Sequence, residues 1–207
     1  MTIYMRNLIT VGFVAIALES SPAMAQSPLG EIAAPQVPTE IQVPAGNAAF
    51  LKGYAEGTQN YICLLSATGY SWKFTGPQAT LFIKFKWING EVRQQITTHY
   101  LSPNPSEGGT PRATWQSSLD SSAVWAKAFG PGFAVPGAIP WLLLEIMGSR
   151  KGPGGGDILT PTTFMQRVNT TGGMMPSTGC ADAANVGVTA FVPYTADYFF
   201  YKARRNN

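Results

Sequence analysis

The segment Leu81-Phe82-Ile83-Lys84-Phe85-Lys86-Trp87 sets apolar residues at alternate positions and runs into Asn89-Gly90. A repeat of two is the side-chain period of a β-strand, and it cannot keep one face of a helix apolar. Asn-Gly tolerates the positive φ angles of a two-residue hairpin, so residues 91–100 are expected to return antiparallel. Leu81, Ile83, Phe85 and Trp87 then share one face and Lys84 and Lys86 the other, the pattern of a half-buried strand.

The rest of the chain is punctuated in the same way. Gly and Pro number 22 and 16, and charged residues make up only 12% of the sequence, which favours turns and strands over long helices. Strand signals recur at 60–65, 70–74, 113–117, 123–129 and 162–168, with Asp120-Ser121-Ser122 as a turn. The apolar run 141–147 has the length of a buried strand, although periodicity leaves a helix open. Residues 186–201 read as one strand or as two broken at Pro193. The expected fold is all-β: an antiparallel sandwich or barrel of roughly eight to ten short strands, with long loops and little helix.

Three divisions follow. Residues 1–25 carry Arg6, an apolar stretch at 8–18 and Ala23-Met24-Ala25, the layout of a signal peptide cleaved between Ala25 and Gln26. Residues 26–46 are a Pro- and Ala-rich lead-in, and 47–207 are expected to form a single domain. The leader's apolar run is shorter than the roughly 20 residues that span a bilayer. The product is therefore expected to be secreted or periplasmic, with no stable membrane insertion after cleavage. An outer-membrane barrel is disfavoured because 91–99 is mostly polar on both faces. The only two cysteines, Cys63 and Cys180, are expected to form a disulfide in such a compartment, separate buried thiols being the alternative. The net charge of +3 and the basic cluster Lys202, Arg204 and Arg205 read as a solvated tail, so no nucleic acid is expected as a partner.

Chemistry-bearing residues are sparse. His99 is the only histidine; on a regular strand it shares a face with Gln95 and Thr97. With Asp120 and a serine it would make a hydrolytic set, but no G-x-S-x-G elbow is present. Asp120, Asp157, Asp182 and Asp197 are too scattered to single out a glycosidase pair. The glycine-rich stretch 148–157 lacks P-loop order, and no cysteine or histidine spacing suits a metal, so no cofactor or metal is expected. Asn169-Thr170-Thr171 fits the N-glycosylation pattern. Trp115, Trp125 and Trp141 read as core, while an exposed tryptophan near His99 would suit carbohydrate stacking.

Several longer motifs occur in order: Tyr61-Ile62-Cys63; Trp72-Lys73-Phe74 with Pro77 and Ala79-Thr80-Leu81; His99-Tyr100 with Trp115 and Asp120; and Ile139-Pro140-Trp141-Leu142-Leu143-Leu144. Gln166-Arg167-Val168-Asn169-Thr170 with Gly172-Gly173, then Cys180 and the run from Val192 to Tyr201, complete the series. Together they resemble the domain-of-unknown-function 3455 family of secreted bacterial and fungal proteins. The resemblance implies one secreted domain with Cys63 and Cys180 as its cysteine pair, and it carries no established activity. A malate dehydrogenase label on some fungal relatives finds no strand-G-x-G-x-x-G-helix unit here. The family's short Gly-Pro link between histidine and tryptophan is replaced by the longer loop 101–114, and Ser121 stands where the family has glycine.

Arg167 and Asn169 share one face of a strand, and a guanidinium among apolar neighbours needs buried carbonyls or an acidic ligand as acceptors. Gly172-Gly173 suit a turn with positive φ. The functional expectation is a non-enzymatic binding or envelope-associated domain, with His99, Trp115, Asp120, Arg167 and Asn169 as binding candidates and a glycan or envelope protein as partner. The alternatives are a hydrolase or lyase of cell-wall or extracellular polysaccharide, with His99 and Asp120 as its catalytic candidates, and a structural envelope protein. Convergence of these residues in one cleft separates the readings.

Overall fold

Strands run up and down along the chain without a long helix between them. They are β1 (Asn47–Ser66), β2 (Gly69–Trp87), β3 (Gly90–Asn104), β4 (Thr110–Ser117), β5 (Ala123–Ala128), β6 (Phe133–Val135), β7 (Ala138–Arg150), β8 (Thr162–Gly172) and β9 (Thr189–Ala203). This computed structural model describes residues 32–88 and 90–204. The expected leader with its Ala25 and Gln26 junction, the hairpin residue Asn89 and Arg205 lie outside the described residues. Every neighbouring pair is antiparallel, and β5 also pairs with β7, so eight strands close into a barrel with β6 appended to β7. The chain is all-β, as its alternation and turn density require. The run 141–147 is strand, within β7, and Pro193 lies inside the single strand β9.

The strands of the first hairpin exceed their sequence signals: β1 has 20 residues and β2 has 19. Glycines mask their inner halves. At Gly57 a Cβ would sit 2.2 Å from the Gln78 carbonyl oxygen, so β1 and β2 approach here more closely than any side chain allows. Register shifts at Asn60/Tyr61 on β1 and at Leu81/Phe82 on β2 coil the strands enough to close the barrel.

Inward residues fill most of the interior. Along β9, Tyr194, Ala196, Tyr198 and Phe200 point inward in strict alternation and join Ala55, Leu81, Trp115, Val124 and Met165 in one core. Each large apolar side chain buried this way contributes about 1.5–3 kcal/mol. The outward Phe199 and Tyr201 are not left to solvent. With Leu143 and Val168 they pack under the segment beginning at Ile32, whose Ile41 is fully buried. Gln166 ties this strap down by donating to the Ile41 carbonyl at 2.7 Å and accepting from the Tyr201 hydroxyl.

The two barrel ends differ. At the end where β3, β5 and β8 begin, Leu159 plugs the interior, and Asp120 holds that loop through the backbone N–H of Ile158 at 2.9 Å. At the opposite end the rim residues Phe74 and Leu101 remain exposed. There a disulfide joins Cys63 of β1 to Cys180 in the β8–β9 connection. Among the described residues no helix is long and apolar enough to cross a membrane.

The expected half-buried strand at 81–87 is half right. Leu81 is buried and Ile83 packs on the core, but Phe85 and Trp87 are exposed. β1 stops supporting β2 at the pair Tyr54–Phe82, and β4 stops supporting β3 at Thr97–Ser117. Beyond those points β2 and β3 pair only with each other and project from the plugged end.

Candidate functional site: a cavity in the barrel interior

His99 of β3 and Trp115 of β4 are cross-strand partners on the inner face. Their rings stack at 4.0 Å and 11°, and Tyr198 of β9 meets both edge-on at 5.5 and 5.4 Å. Above this aromatic layer lies a cavity of 180 Å³, lined by Gln59, Pro77, Leu101, Ala128, Leu142 and Arg167 together with His99, Trp115 and Tyr198. A shallower groove of 780 Å³ on the outer face of β1, β2 and β3 shares the lining residues Pro77, His99 and Leu101.

The polar groups of the cavity are few and mostly unanswered. His99 Nδ1 lies 2.9 Å from the Thr114 carbonyl oxygen; a carbonyl only accepts, so Nδ1 carries the proton and Nε2 is left as an acceptor. Burial drives the imidazole pKa down to about 3, with the Thr114 bond opposing and the charge of Arg167 adding to the shift, so the ring is neutral. Trp115 Nε1 and Gln59 Nε2 are buried donors without a hydrogen bond among the described residues; the Gln59 amide approaches the Tyr194 hydroxyl without regular geometry. Leaving such donors unpaired costs about 1–3 kcal/mol each.

Arg167 supplies the charge. Its Nε and Nη2 both donate to the Pro140 carbonyl, at 3.2 and 2.8 Å. Among the described residues no carboxylate pairs with it. Burial raises the phenol pKa of Tyr61 and of Tyr194, and the positive field of Arg167 works against both. The half-buried guanidinium is thus a cation facing apolar walls, a placement that favours an anionic occupant.

Three of the sequence candidates, His99, Trp115 and Arg167, therefore meet in one cavity. The other two do not. Asp120 accepts from the Ser122 backbone N–H at 3.0 Å and hydroxyl at 2.7 Å, besides Ile158. Burial opposes its ionisation, but these bonds outweigh it and hold the carboxyl at about 2. It is a loop clamp, and no His99–Asp120 pair forms. Ser121 beside it adopts φ 61°, the left-handed conformation that favours glycine. Asn169 sits at the β8 irregularity with φ 52°, and its amide donates to Asp197 on the outer surface. The same kind of irregularity corrects the face of His99: Ile96 is the extra residue between the pairs Leu81–Thr97 and Phe82–Gln95. Thr97 stays inward with His99, while Gln95 turns outward to Ser118. Trp115 is 1% exposed, so it offers no open platform for a sugar ring. Gln59 and Tyr198 escaped the sequence reading; Gln59 lies two residues from Gly57 and from Tyr61 on β1, a polar residue in an inward row.

The family is decided by extent of match. The family model "Protein of unknown function (DUF3455)" matches residues 44–202. The chain belongs to the DUF3455 family. That match spans all nine strands except the last residue of β9, so the barrel, the disulfide and the cavity all lie within the DUF3455 domain. No curated protein and no solved structure matches it.

Proposed function

We propose that this DUF3455 protein is an exported, non-enzymatic binding barrel that takes a small organic acid into its interior. The observation that carries the reading is the Arg167 guanidinium, which has no carboxylate partner among the described residues, in a cavity whose buried Gln59 and Trp115 donors also lack a regular hydrogen bond among them. Three donor groups against apolar walls complement a carboxylate on a hydrophobic body. The size supports a compact ligand: an engineered cavity of about 150 Å³ accommodates benzene, and this one measures 180 Å³. A polymer chain does not fit, so the polysaccharide-cleaving reading has no support in this cavity. The leader and the disulfide support work outside the cytosol.

Thermal unfolding with benzoate tests the proposal. At a concentration about one hundred times Kd, linkage contributes about 2.7 kcal/mol, a rise of about 5–10 °C for a domain of this size. Benzamide, the uncharged counterpart, should give a smaller rise. Arg167→Gln should abolish the difference between the two, and Ala128→Trp at the rim should abolish both responses while leaving the fold intact. Equal responses of the native protein and Arg167→Gln to benzoate would refute the acid assignment. No response to either compound would refute the binding barrel.

A further inference from the structure

We infer that the ribbon formed by the free ends of β2 and β3 docks the domain on an anionic lipid bilayer. Outward from Phe82–Gln95 the register pairs Phe85 with Val92 and Trp87 with Gly90 on one face, and Lys84 with Arg93 and Lys86 with Glu91 on the other. Directly paired residues of an antiparallel ladder lie on the same side, so the ribbon separates an apolar face from a charged one. The apolar face has no cover among the described residues: Phe85 is 39% exposed, Val92 43%, Trp87 68% and the tip residue Ile88 90%. A contiguous apolar surface of this kind marks an interaction site on a soluble domain.

The chemistry around it selects the partner. Lys86 has no ion pair among the described residues, whereas Lys84 and Arg93 pair with Glu91 and Glu56. Arg150 and Lys202 lie on the same end of the barrel, at the close of β7 and β9. An apolar tip with tryptophan just behind it, flanked by cations on long stems, matches the depth profile of a bilayer surface. Apolar side chains enter the acyl boundary, the indole sits at the headgroups, and ammonium groups meet anionic lipid phosphates. The ribbon lies at the plugged end, so docking leaves the cavity rim facing solvent.

Co-sedimentation of the purified protein with vesicles tests this, using phosphatidylcholine alone and phosphatidylcholine mixed with phosphatidylglycerol. The native protein should bind the mixed vesicles and release them at high salt. The double variant Trp87→Ser, Ile88→Ser should bind at least about tenfold more weakly, since each side chain loses its apolar transfer. Lys86→Glu should also weaken binding, and both variants should keep the native melting temperature because these residues are exposed. Failure of the native protein to bind the mixed vesicles, or equal binding by the double variant, would overturn the assignment. A concentration-dependent dimer that the double variant loses, without vesicle binding, would assign the ribbon to a second copy instead.

Discussion

Reduction of the Cys63–Cys180 bond should lower the unfolding free energy by about 4–5 kcal/mol, the largest single effect expected for this chain. The bond spans 117 residues, and the chain-entropy argument assigns a closed loop near that length about this value. What remains without it is thin. The β8–β9 connection is otherwise held to the barrel by the Trp72 indole on the Thr178 carbonyl at 2.9 Å, by the Tyr61 hydroxyl on the Gly173 carbonyl at 2.7 Å, and by the Cys63 backbone pairing with Val188 and Gly187. The seating of Tyr61 beneath this connection positions the row that carries Gln59. Urea midpoints of the reduced protein and of Cys63→Ser should therefore agree with each other and fall well below that of the oxidised protein. An unchanged midpoint on reduction would show that the barrel does not depend on the bond.

Acid should destabilise the barrel through His99 at a higher pH than through Asp120. The imidazole sits at about 3 in the folded protein against an ordinary 6.5. Between those values the unfolded chain takes up a proton that the folded chain refuses, so stability falls as pH drops below 6.5, by about 1.4 kcal/mol per pH unit. Asp120 acts in the same direction but lower: its carboxyl is held at about 2 against 3.8, so its contribution is lost only as pH falls from 3.8 through 2. Unfolding free energies from urea titrations between pH 6.5 and about 4 should thus decline by about 3 kcal/mol in total. His99→Asn, which cannot titrate, should flatten that decline. A flat profile in the native protein would place the ring in contact with solvent and remove the neutral acceptor from the cavity.

The sequence made much of this fold legible because strand alternation and turn chemistry are local. Leu81–Trp87 and the inward row Tyr194, Ala196, Tyr198 and Phe200 of β9 can be read by counting residues, and two cysteines leave one intramolecular pairing. Three features could not be read that way. Ile96, as an extra residue in β3, moves Gln95 off the face of His99, and no local signal marks an irregularity that exists to close a barrel. Asp120 is close in sequence to Trp115 but turns to Ile158, because its partners are backbone amides of a distant loop. Gln59 looks like an ordinary polar strand residue until the barrel closes over it. The spacing of His99, Trp115 and Arg167 along the chain likewise says nothing of their convergence, which depends on β5 pairing with β7 past the intervening β6.

That convergence also gives meaning to the longest of the motifs on which the family resemblance rests. In Gln166-Arg167-Val168-Asn169-Thr170, alternate residues serve opposite faces. Gln166 and Val168 bind the strap outside, Arg167 enters the cavity inside, and Thr170 donates to the Ile139 carbonyl. Gly172 and Gly173 follow at φ 60° and 76°. A Cβ on Gly172 would lie 2.5 Å from the Pro193 carbonyl oxygen, so this turn accepts only glycine without displacing β9. The motif therefore joins the outer strap, the charged cavity and the turn that leads to the disulfide.

A crystal grown with para-bromobenzoate tests the binding barrel most directly, because bromine marks its own position by anomalous scattering. The account predicts one strong peak inside the barrel among Leu101, Leu142 and Trp115, with the carboxylate on Arg167 and the Gln59 amide. Bromine found only on the outer surface, with the interior unchanged, would contradict it.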